Sequence, residues 1–169
     1  EKQDIIRKIK YDYVGLYSVT NSIDANEMTN ILQNYCIKYS LKNNIVDLTS
    51  CIGGNTISFA KKFDNVTSIE INRKRYKMLL HNLSILHLHN VKCWNGDSSI
   101  YLKSYMNQSN LYFIDPPWGG PGFNGSSKIF FNNQEIFKWC DSQFNNYSNN
   151  IYIVGIKLPS NYIIPQSDE

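Results

Sequence analysis

Residues 44–56 of this 169-residue chain read Asn-Ile-Val-Asp-Leu-Thr-Ser-Cys-Ile-Gly-Gly-Asn-Thr. The β-branched start of this stretch predicts a short buried strand, and the glycine pair predicts a turn that opens a helix. Glycines let backbone N–H groups approach a ligand closely, and a helix start favours an anionic group. The dinucleotide fingerprint Gly-x-Gly-x-x-Gly is absent, so the stretch does not favour a nicotinamide cofactor.

Strand and helix patterns alternate on both sides of this stretch. We predict helices over residues 24–39, 54–62, 73–88 and 134–144, and strands over residues 44–48, 66–70, 91–94, 111–114 and 151–156. Such alternation indicates βαβ crossovers. The predicted fold is therefore α/β, a mainly parallel sheet with helices on both faces, in which residues 119–133 form the loosest stretch.

The composition is that of a globular protein, with 42% hydrophobic and 18% charged residues and a net charge of +3. That apolar content excludes a disordered tail, and no long apolar run offers a membrane span. The charge is too small to indicate a nucleic-acid partner by itself. Four widely spaced cysteines favour a reducing, intracellular compartment, and the three histidines lack metal-ligand spacing, so we expect no metal. The 22 asparagines, 21 isoleucines and two alanines are typical of an AT-rich genome, such as that of a virus or protist.

An acidic residue follows each of four successive predicted strands: Asp47, Glu70, Asp97 and Asp115. Ligands of parallel sheets bind outside the carboxyl ends of the strands. Glu70 stands where an acid can bind both hydroxyls of a ribose, and Asp97 can accept from an adenine amino group. Asp47 can pair with an ammonium group. These three features together describe S-adenosylmethionine; the alternative is a glycine turn surrounded by ordinary loop acids.

The most specific signal is Asp115-Pro-Pro-Trp118, which follows the apolar run at residues 111–114. The prolines restrict the backbone and remove two donors, so the Asp115 carboxylate and the Pro116 carbonyl can both accept hydrogen bonds from an exocyclic amino group. An aryl amine is a poor nucleophile because its lone pair is delocalised into the ring. Accepting its protons helps the nitrogen become pyramidal, and positioning lowers the barrier to in-line attack on a sulfonium methyl. Trp118 offers a flat face for a base, worth about 1–3 kcal/mol.

The longer string Asp115-Pro-Pro-Trp-Gly-Gly-Pro121 resembles the trimethylguanosine synthase family. Three further stretches are similar to that family and occur in the same order: Ile9-Lys-Tyr-Asp12, Gly15-Leu-Tyr-Ser-Val-Thr20 and Gly53-Gly-Asn-Thr56. The resemblance implies a Rossmann-like methyltransferase fold. It implies methylation of the 2-amino group of 7-methylguanosine in RNA caps, with S-adenosylmethionine as cofactor.

The resemblance also implies roles for individual residues. Asp115 and Pro116 would accept the amine, and Trp118 would stack on the cationic 7-methylguanine, where a cation–π attraction adds to stacking. Residues 1–23 would form an N-terminal arm that contributes to the site, and residues 24–169 the methyltransferase domain. The implied cofactor-binding residues are Thr20, Asp47, Thr49, Gly53, Asn55, Thr56, Glu70, Asp97 and Ser98. The other implied substrate-binding residues are Lys10, Lys157 and Asn161.

The chain departs from the family pattern at several positions. Cys51 replaces a glycine, and a positive φ at that position would lower cofactor affinity. Phe123 replaces a tyrosine and Ser160 an arginine, which weakens binding of cap phosphates, with Lys157 as a partial substitute. The sequence stops soon after the fifth predicted strand, so we expect either that C-terminal residues are missing or that the sheet is trimmed and lacks the sixth and seventh strands of the usual methyltransferase fold.

Two alternatives to a cap methyltransferase remain open. One is another Asp-Pro-Pro-Trp amino-methyltransferase that acts on adenine or guanine of RNA or DNA. The Gly-Gly-Pro extension and the Ser-Val-Thr stretch argue against it. The other is a non-catalytic module that binds caps or RNA and derives from such an enzyme, which the departures at Cys51 and Ser160 favour. We expect a monomer with capped RNA or a cap nucleotide as its partner and no membrane contact.

Overall fold

The computed structural model describes residues 4, 6–106, 109–119, 123–125, 128–145 and 151–164. The helices are α1 (Tyr13–Ser18), α2 (Ser22–Lys38), α3 (Gly54–Phe59), α4 (Arg73–Ile85), α5 (Ser98–Tyr105) and α6 (Ile136–Phe144). The strands are β1 (Asn44–Asp47), β2 (Asn65–Glu70), β3 (Val91–Asn95), β4 (Leu111–Ile114), β5 (Phe130–Phe131), β6 (Gln134–Glu135) and β7 (Ile153–Ile156).

Five of these strands form one parallel sheet in the order β3-β2-β1-β4-β7. The chain runs outward from β1 to β3 and then crosses back to β4 on the other side of β1. This reversal between β1 and β4 is the point at which open α/β sheets bind their ligands. The predicted α/β fold with a parallel sheet is confirmed. The short strands β5 and β6 form a separate antiparallel hairpin.

Strand β4 is buried on both faces, which explains why its sequence is apolar throughout. All four of its residues are at most 2% exposed, and they alternate between two hydrophobic clusters. Tyr112 and Ile114 pack with Ile136 and Trp139 on one face of the sheet. Leu111 and Phe113 pack on the other face with a set that includes Leu32, Ile45 and Phe59. A central strand with both faces covered needs apolar side chains at every position.

The main corrections to the predicted elements concern two short helices, α1 and α5, which the sequence analysis did not predict. Each begins at an aspartate whose side chain accepts a backbone N–H: Asp12 from Gly15, and Asp97 from Ser99. Such a cap stabilises the start of a helix even where the sequence has no apolar residues at helical spacing. The helix predicted over residues 73–88 ends at Ile85, and His87 beyond it has φ of 54°.

Two kinds of feature are absent from the described residues: a membrane-spanning helix and a metal-binding cluster. No described helix is long and apolar enough to cross a membrane. Within the same ranges, no group of three or more His, Cys, Asp or Glu side chains is arranged to hold a metal ion.

Candidate active site at the carboxyl edge of the sheet

The parallel sheet brings the acids at the strand ends to one edge. Asp47 ends β1, Glu70 ends β2, Asp97 follows β3 and Asp115 follows β4. Burial raises the pKa of Asp47 to about 7, and the negative charges of Asp115 and Glu70 add to the rise. These three carboxyl groups are therefore near enough to influence one another, as the sequence analysis predicted for strand ends of a parallel sheet.

Asp47 lies beneath the loop that joins β1 to α3. It is 0% exposed, and its carboxylate accepts hydrogen bonds from Thr56 Oγ1 at 2.6 Å and from the Thr49 backbone N–H at 3.2 Å. Thr56 Oγ1 also lies 2.7 Å from Ser68 Oγ on β2. Asp47 thus holds the loop to the sheet from below, through the backbone N–H of Thr49 and the side-chain hydroxyl of Thr56.

Glu70 reaches the same loop from β2. Its two carboxylate oxygens accept the backbone N–H groups of Cys51, at 2.8 Å, and Asn72, at 2.7 Å. Burial raises the pKa of Glu70, and these two hydrogen bonds oppose the rise. Each oxygen keeps a lone pair for a further donor such as a ribose hydroxyl. Cys51 has φ of 50°, so it adopts the left-handed conformation that favours glycine.

Two glycines allow the loop to pass between its neighbours. Gly53 has φ of 108°, and a Cβ there would lie 2.9 Å from a methyl group of Leu79. A Cβ on Gly54 would lie 2.8 Å from Val19 Cγ2 and 3.1 Å from the Thr20 backbone nitrogen. The N-terminal arm therefore rests directly on the start of α3, at a distance that only glycine permits.

Asp115 is held by four parts of the chain. Its backbone N–H donates to Thr49 Oγ1 at 2.7 Å. Its Oδ2 accepts from Lys157 Nζ at 2.9 Å and Thr20 Oγ1 at 3.2 Å, with Asn55 Nδ2 at 3.5 Å. All four partners are predicted site residues, but no sequence pattern predicts that three of them, Thr20, Asn55 and Lys157, meet at one carboxylate oxygen. The other amide atom of Asn55, Oδ1, is buried without a hydrogen-bond partner among the described residues.

Trp118 lines a pocket whose walls include the residues that follow Asp115-Pro116 in the chain. The pocket has a volume of about 360 Å³, and its walls are formed by Pro117, Trp118, Gly119, Phe123, Lys128, Ile129 and Phe130. The Phe123 ring meets the Trp118 ring edge-on, with centroids 6.3 Å apart at 78°. Lys128 is a pocket residue that the sequence analysis missed, because it lies in the stretch without regular pattern. Residues 120–122 of the Asp-Pro-Pro-Trp-Gly-Gly-Pro string and its extension lie outside the described residues.

Asp97 and Ser98 start the helix that follows β3. Asp97 Oδ1 accepts from the Ser99 backbone N–H at 2.7 Å and from Asn132 Nδ2 at 3.1 Å. Ser98 Oγ donates to the carbonyl oxygen of Leu48, directly after β1. These contacts place both residues at the same edge of the sheet as Asp47 and Glu70.

Two of the predicted substrate-binding residues make contacts apart from the Asp115 cluster. Lys10 is exposed at its side chain, and its backbone N–H donates to Asn82 Oδ1 of α4 at 2.8 Å. Asn161 Nδ2 donates to the carbonyl oxygen of Phe123 at 3.2 Å, which places Asn161 beside the Trp118 pocket. The third, Lys157, contacts Asp115 directly.

The donor set fits S-adenosylmethionine in two respects. The unpartnered, buried Oδ1 of Asn55 needs a hydrogen-bond donor, which an ammonium group supplies. Glu70 is a buried acid at the end of the second strand with acceptor capacity left for hydroxyl groups.

Residues 42–166 match the model of a family described as RNA cap guanine-N2 methyltransferase. This match covers more than half of the chain. The chain belongs to the RNA cap guanine-N2 methyltransferase family. The resemblance of the Asp115-Pro-Pro-Trp118 region to that kind of enzyme is thereby confirmed.

Curated relatives include a viral and a yeast protein. The chain is 31% identical to uncharacterized protein L320 of Acanthamoeba polyphaga mimivirus, over 93% of this chain and 69% of the viral protein. It is 33% identical to trimethylguanosine synthase of Schizosaccharomyces pombe, over 72% of this chain and 51% of the yeast protein. The chain therefore spans about half the length of this yeast relative.

Solved structures support the fold. A methyltransferase from Porphyromonas gingivalis matches with a TM-score of 0.51 and 19% identity, over 62% of this chain and 25% of that one. An O-methyltransferase from Bacillus cereus, solved in complex with S-adenosylhomocysteine, matches with a TM-score of 0.50 and 17% identity, over 67% and 52% of the two chains. These matches show that the family member described here has the fold of methyltransferases.

Proposed function

We propose that this chain transfers a methyl group from S-adenosylmethionine to the exocyclic 2-amino group of 7-methylguanosine in RNA caps. The observation that carries the proposal is the position of Trp118. This residue lines the pocket and belongs to the same Asp115-Pro-Pro-Trp118 segment as the two acceptors for an amine, the Asp115 carboxylate and the Pro116 carbonyl. A base stacked on Trp118 can present an exocyclic amino group to Asp115 and Pro116. The family membership of residues 42–166 supports the choice of guanine.

Asp115 and Pro116 prepare the amine for attack. When bound, S-adenosylmethionine supplies an electrophilic methyl group. The Asp115 carboxylate and the Pro116 carbonyl accept the two N–H groups of the amine, which weakens delocalisation of its lone pair into the ring and aims that lone pair. Positioning of this kind lowers the barrier to an in-line displacement. After transfer, the nitrogen carries a positive charge and loses a proton readily, so no strong base is required.

The cofactor would be held by the loop between β1 and α3 together with the ends of β2 and β3. Asn55 Oδ1 would accept from the ammonium group, and Glu70 from the ribose hydroxyls. Asp47 is completely buried, so we assign it a supporting role through its hydrogen bonds to Thr49 and Thr56. The remaining proposed cofactor-binding residues are Thr20, Gly53, Asp97 and Ser98.

The cap would be held chiefly through its base. 7-Methylguanine is cationic, so Trp118 contributes a cation–π attraction in addition to stacking, and Phe123 supports the Trp118 ring from its edge. Asn161 stands beside Phe123, and Lys128 lines the same pocket, where its ammonium can meet a phosphate. Lys10 of the arm is the second proposed phosphate contact.

Radiolabelled methyl transfer to a 7-methylguanosine cap analogue, compared with the unmethylated analogue, tests this function. We expect transfer to the methylated analogue and little to the other. Asp115→Ala should abolish transfer, whereas Asp141→Ala, at an exposed position on α6, should not. Equal transfer to both analogues would remove the cap specificity, and full activity of Asp115→Ala would defeat the assigned chemistry.

Calorimetry with S-adenosylhomocysteine separates an enzyme from a non-catalytic cap-binding module. An enzyme should bind this product at micromolar concentration. A protein that binds the cap analogue but no S-adenosylhomocysteine at high micromolar concentration would be the non-catalytic module.

A further inference from the structure

Lys157 stands next to Asp115 because of the register between two parallel strands. β4 and β7 pair Ile114 with Ile156, so Asp115 and Lys157 each come directly after paired residues. The Lys157 backbone N–H also donates to the Ile114 carbonyl oxygen at 2.9 Å, which extends the ladder by one step. The backbone therefore holds the two residues side by side before their side chains make any contact.

The contacts of Lys157 reach only one oxygen of the Asp115 carboxylate. Lys157 Nζ donates to Asp115 Oδ2 at 2.9 Å and to Thr20 Oγ1 at 3.0 Å, and Thr20 Oγ1 donates to the same Oδ2 at 3.2 Å. These three atoms form a closed triangle. A carboxylate oxygen has two lone pairs, so these two donors fill Oδ2, and Asn55 Nδ2 makes only a longer contact of 3.5 Å with it. Among the described residues, every hydrogen bond to this carboxylate goes to Oδ2.

The ion pair between Lys157 and Asp115 is largely sheltered from solvent. The side chain of Lys157 is 24% exposed and that of Asp115 is 11% exposed. A charged donor in such a setting makes a shorter and stronger hydrogen bond than a neutral donor would. The ammonium also offsets the negative charge of Asp115 at this edge of the sheet.

We propose, on the basis of the function proposed above, that Lys157 is a positioning residue for the methyl transfer. Together with Thr20, it saturates Oδ2 of Asp115 and fixes the plane of the carboxylate. Oδ1 and the Pro116 carbonyl then remain as the two acceptors for the substrate amine. This role differs from a contact with cap phosphate, because the ammonium is already committed to Asp115.

The test compares Lys157→Met, which keeps much of the side-chain length and removes the charge, with Lys157→Arg and with Lys103→Met. Lys103 is an exposed lysine in the last turn of α5 and serves as the matched control. For each protein, kcat and KM are measured with a 7-methylguanosine cap analogue and with 7-methylguanosine nucleoside, and S-adenosylhomocysteine binding is measured by calorimetry. Thermal unfolding verifies that each variant is folded.

We expect Lys157→Met to lower kcat by about 10- to 100-fold on both substrates, because a misplaced acceptor loses the productive geometry. The KM values and the affinity for S-adenosylhomocysteine should change less than about threefold, and Lys157→Arg should recover part of kcat. Thr20→Val should act in the same direction. The double variant should be little worse than Lys157→Met, because both side chains act on one oxygen.

Three results would overturn the inference. A higher kcat in Lys157→Met would mean that the ammonium competes with the substrate amine for Asp115. A defect confined to KM and absent with the nucleoside would mean that Lys157 binds phosphate. An unchanged kcat would remove any role on Asp115. If the wild-type protein transfers no methyl group to either guanosine substrate, the proposed function itself fails and the inference fails with it.

Discussion

The side-chain amide of Asn82 bonds to both backbone groups of Lys10. Its Oδ1 accepts the Lys10 N–H at 2.8 Å, and its Nδ2 donates to the Lys10 carbonyl oxygen at 3.0 Å. Nδ2 also donates to the carbonyl oxygen of Ile52 at 2.9 Å. Asn82 is 1% exposed. One buried amide on α4 therefore ties the N-terminal arm to the loop between β1 and α3.

We predict that Asn82→Ala destabilises the protein by about 2–3 kcal/mol, because it leaves three backbone groups without their partner. It should also weaken binding of S-adenosylhomocysteine, since the arm then no longer rests on the loop. Asn90→Ala is the matched control: Asn90 donates to the carbonyl oxygens of Ala60 and Phe63, away from the arm. Equal losses of affinity in both variants, measured by calorimetry alongside urea unfolding, would show that the arm contact has no specific role.

The left-handed backbone at Cys51 leads to a second prediction. Cys51→Val should destabilise the protein by about 2 kcal/mol, because a β-branched side chain fits poorly at φ of 50°. Cys51→Gly should stay within about 1 kcal/mol of the wild type, since relief of backbone strain offsets the added freedom of the unfolded chain. Cys93→Val on strand β3 is the control and should be well tolerated. Thermal unfolding ranks the three variants, and a Cys51→Val protein as stable as Cys51→Gly would contradict the expectation.

The stacking role of Trp118 makes a third prediction. Trp118→Ala should raise KM for the cap analogue by about 10- to 100-fold, which corresponds to the loss of a base stack. Trp118→Phe should keep a large part of the affinity because a flat ring remains. Steady-state kinetics measure KM for each of the two variants, and tryptophan fluorescence measures their binding of the cap analogue. If the alanine and phenylalanine variants had the same KM as the wild type, the base would have to bind elsewhere.

The buried carboxyl of Asp47 makes stability depend on pH. Its pKa is about 7 in the folded protein and about 3.9 in an unfolded chain, so the folded state holds the extra proton between these values. Stability from this group is present at low pH and is lost as pH rises through 7. We expect the wild type to lose on the order of 2 kcal/mol relative to Asp47→Asn between pH 5 and pH 8. Parallel pH dependences of unfolding in the two proteins would contradict this.

Much of the fold could be predicted because local patterns determine it. The apolar run at residues 111–114 and the β-branched pair Ile45-Val46 become buried parts of parallel strands. The sequence did not predict α1, because its start depends on a single capping contact, in which the Gly15 backbone N–H donates to the Asp12 carboxylate. The boundary between arm and domain at residue 23 remains a prediction, although α2 already begins at Ser22.

By itself, the sequence determined the alternation of strands and helices, the acid at each strand end and the Asp115-Pro-Pro-Trp118 segment. These features are contiguous or periodic, so local physics is enough to recognise them. Only the tertiary structure decided that Lys157, Thr20 and Asn55 meet at one oxygen of Asp115. Thr20 and Lys157 are 137 residues apart in the chain, and strand register and the close approach of the arm to Gly54 bring them together. No local pattern carries that information, because it depends on which strands lie side by side.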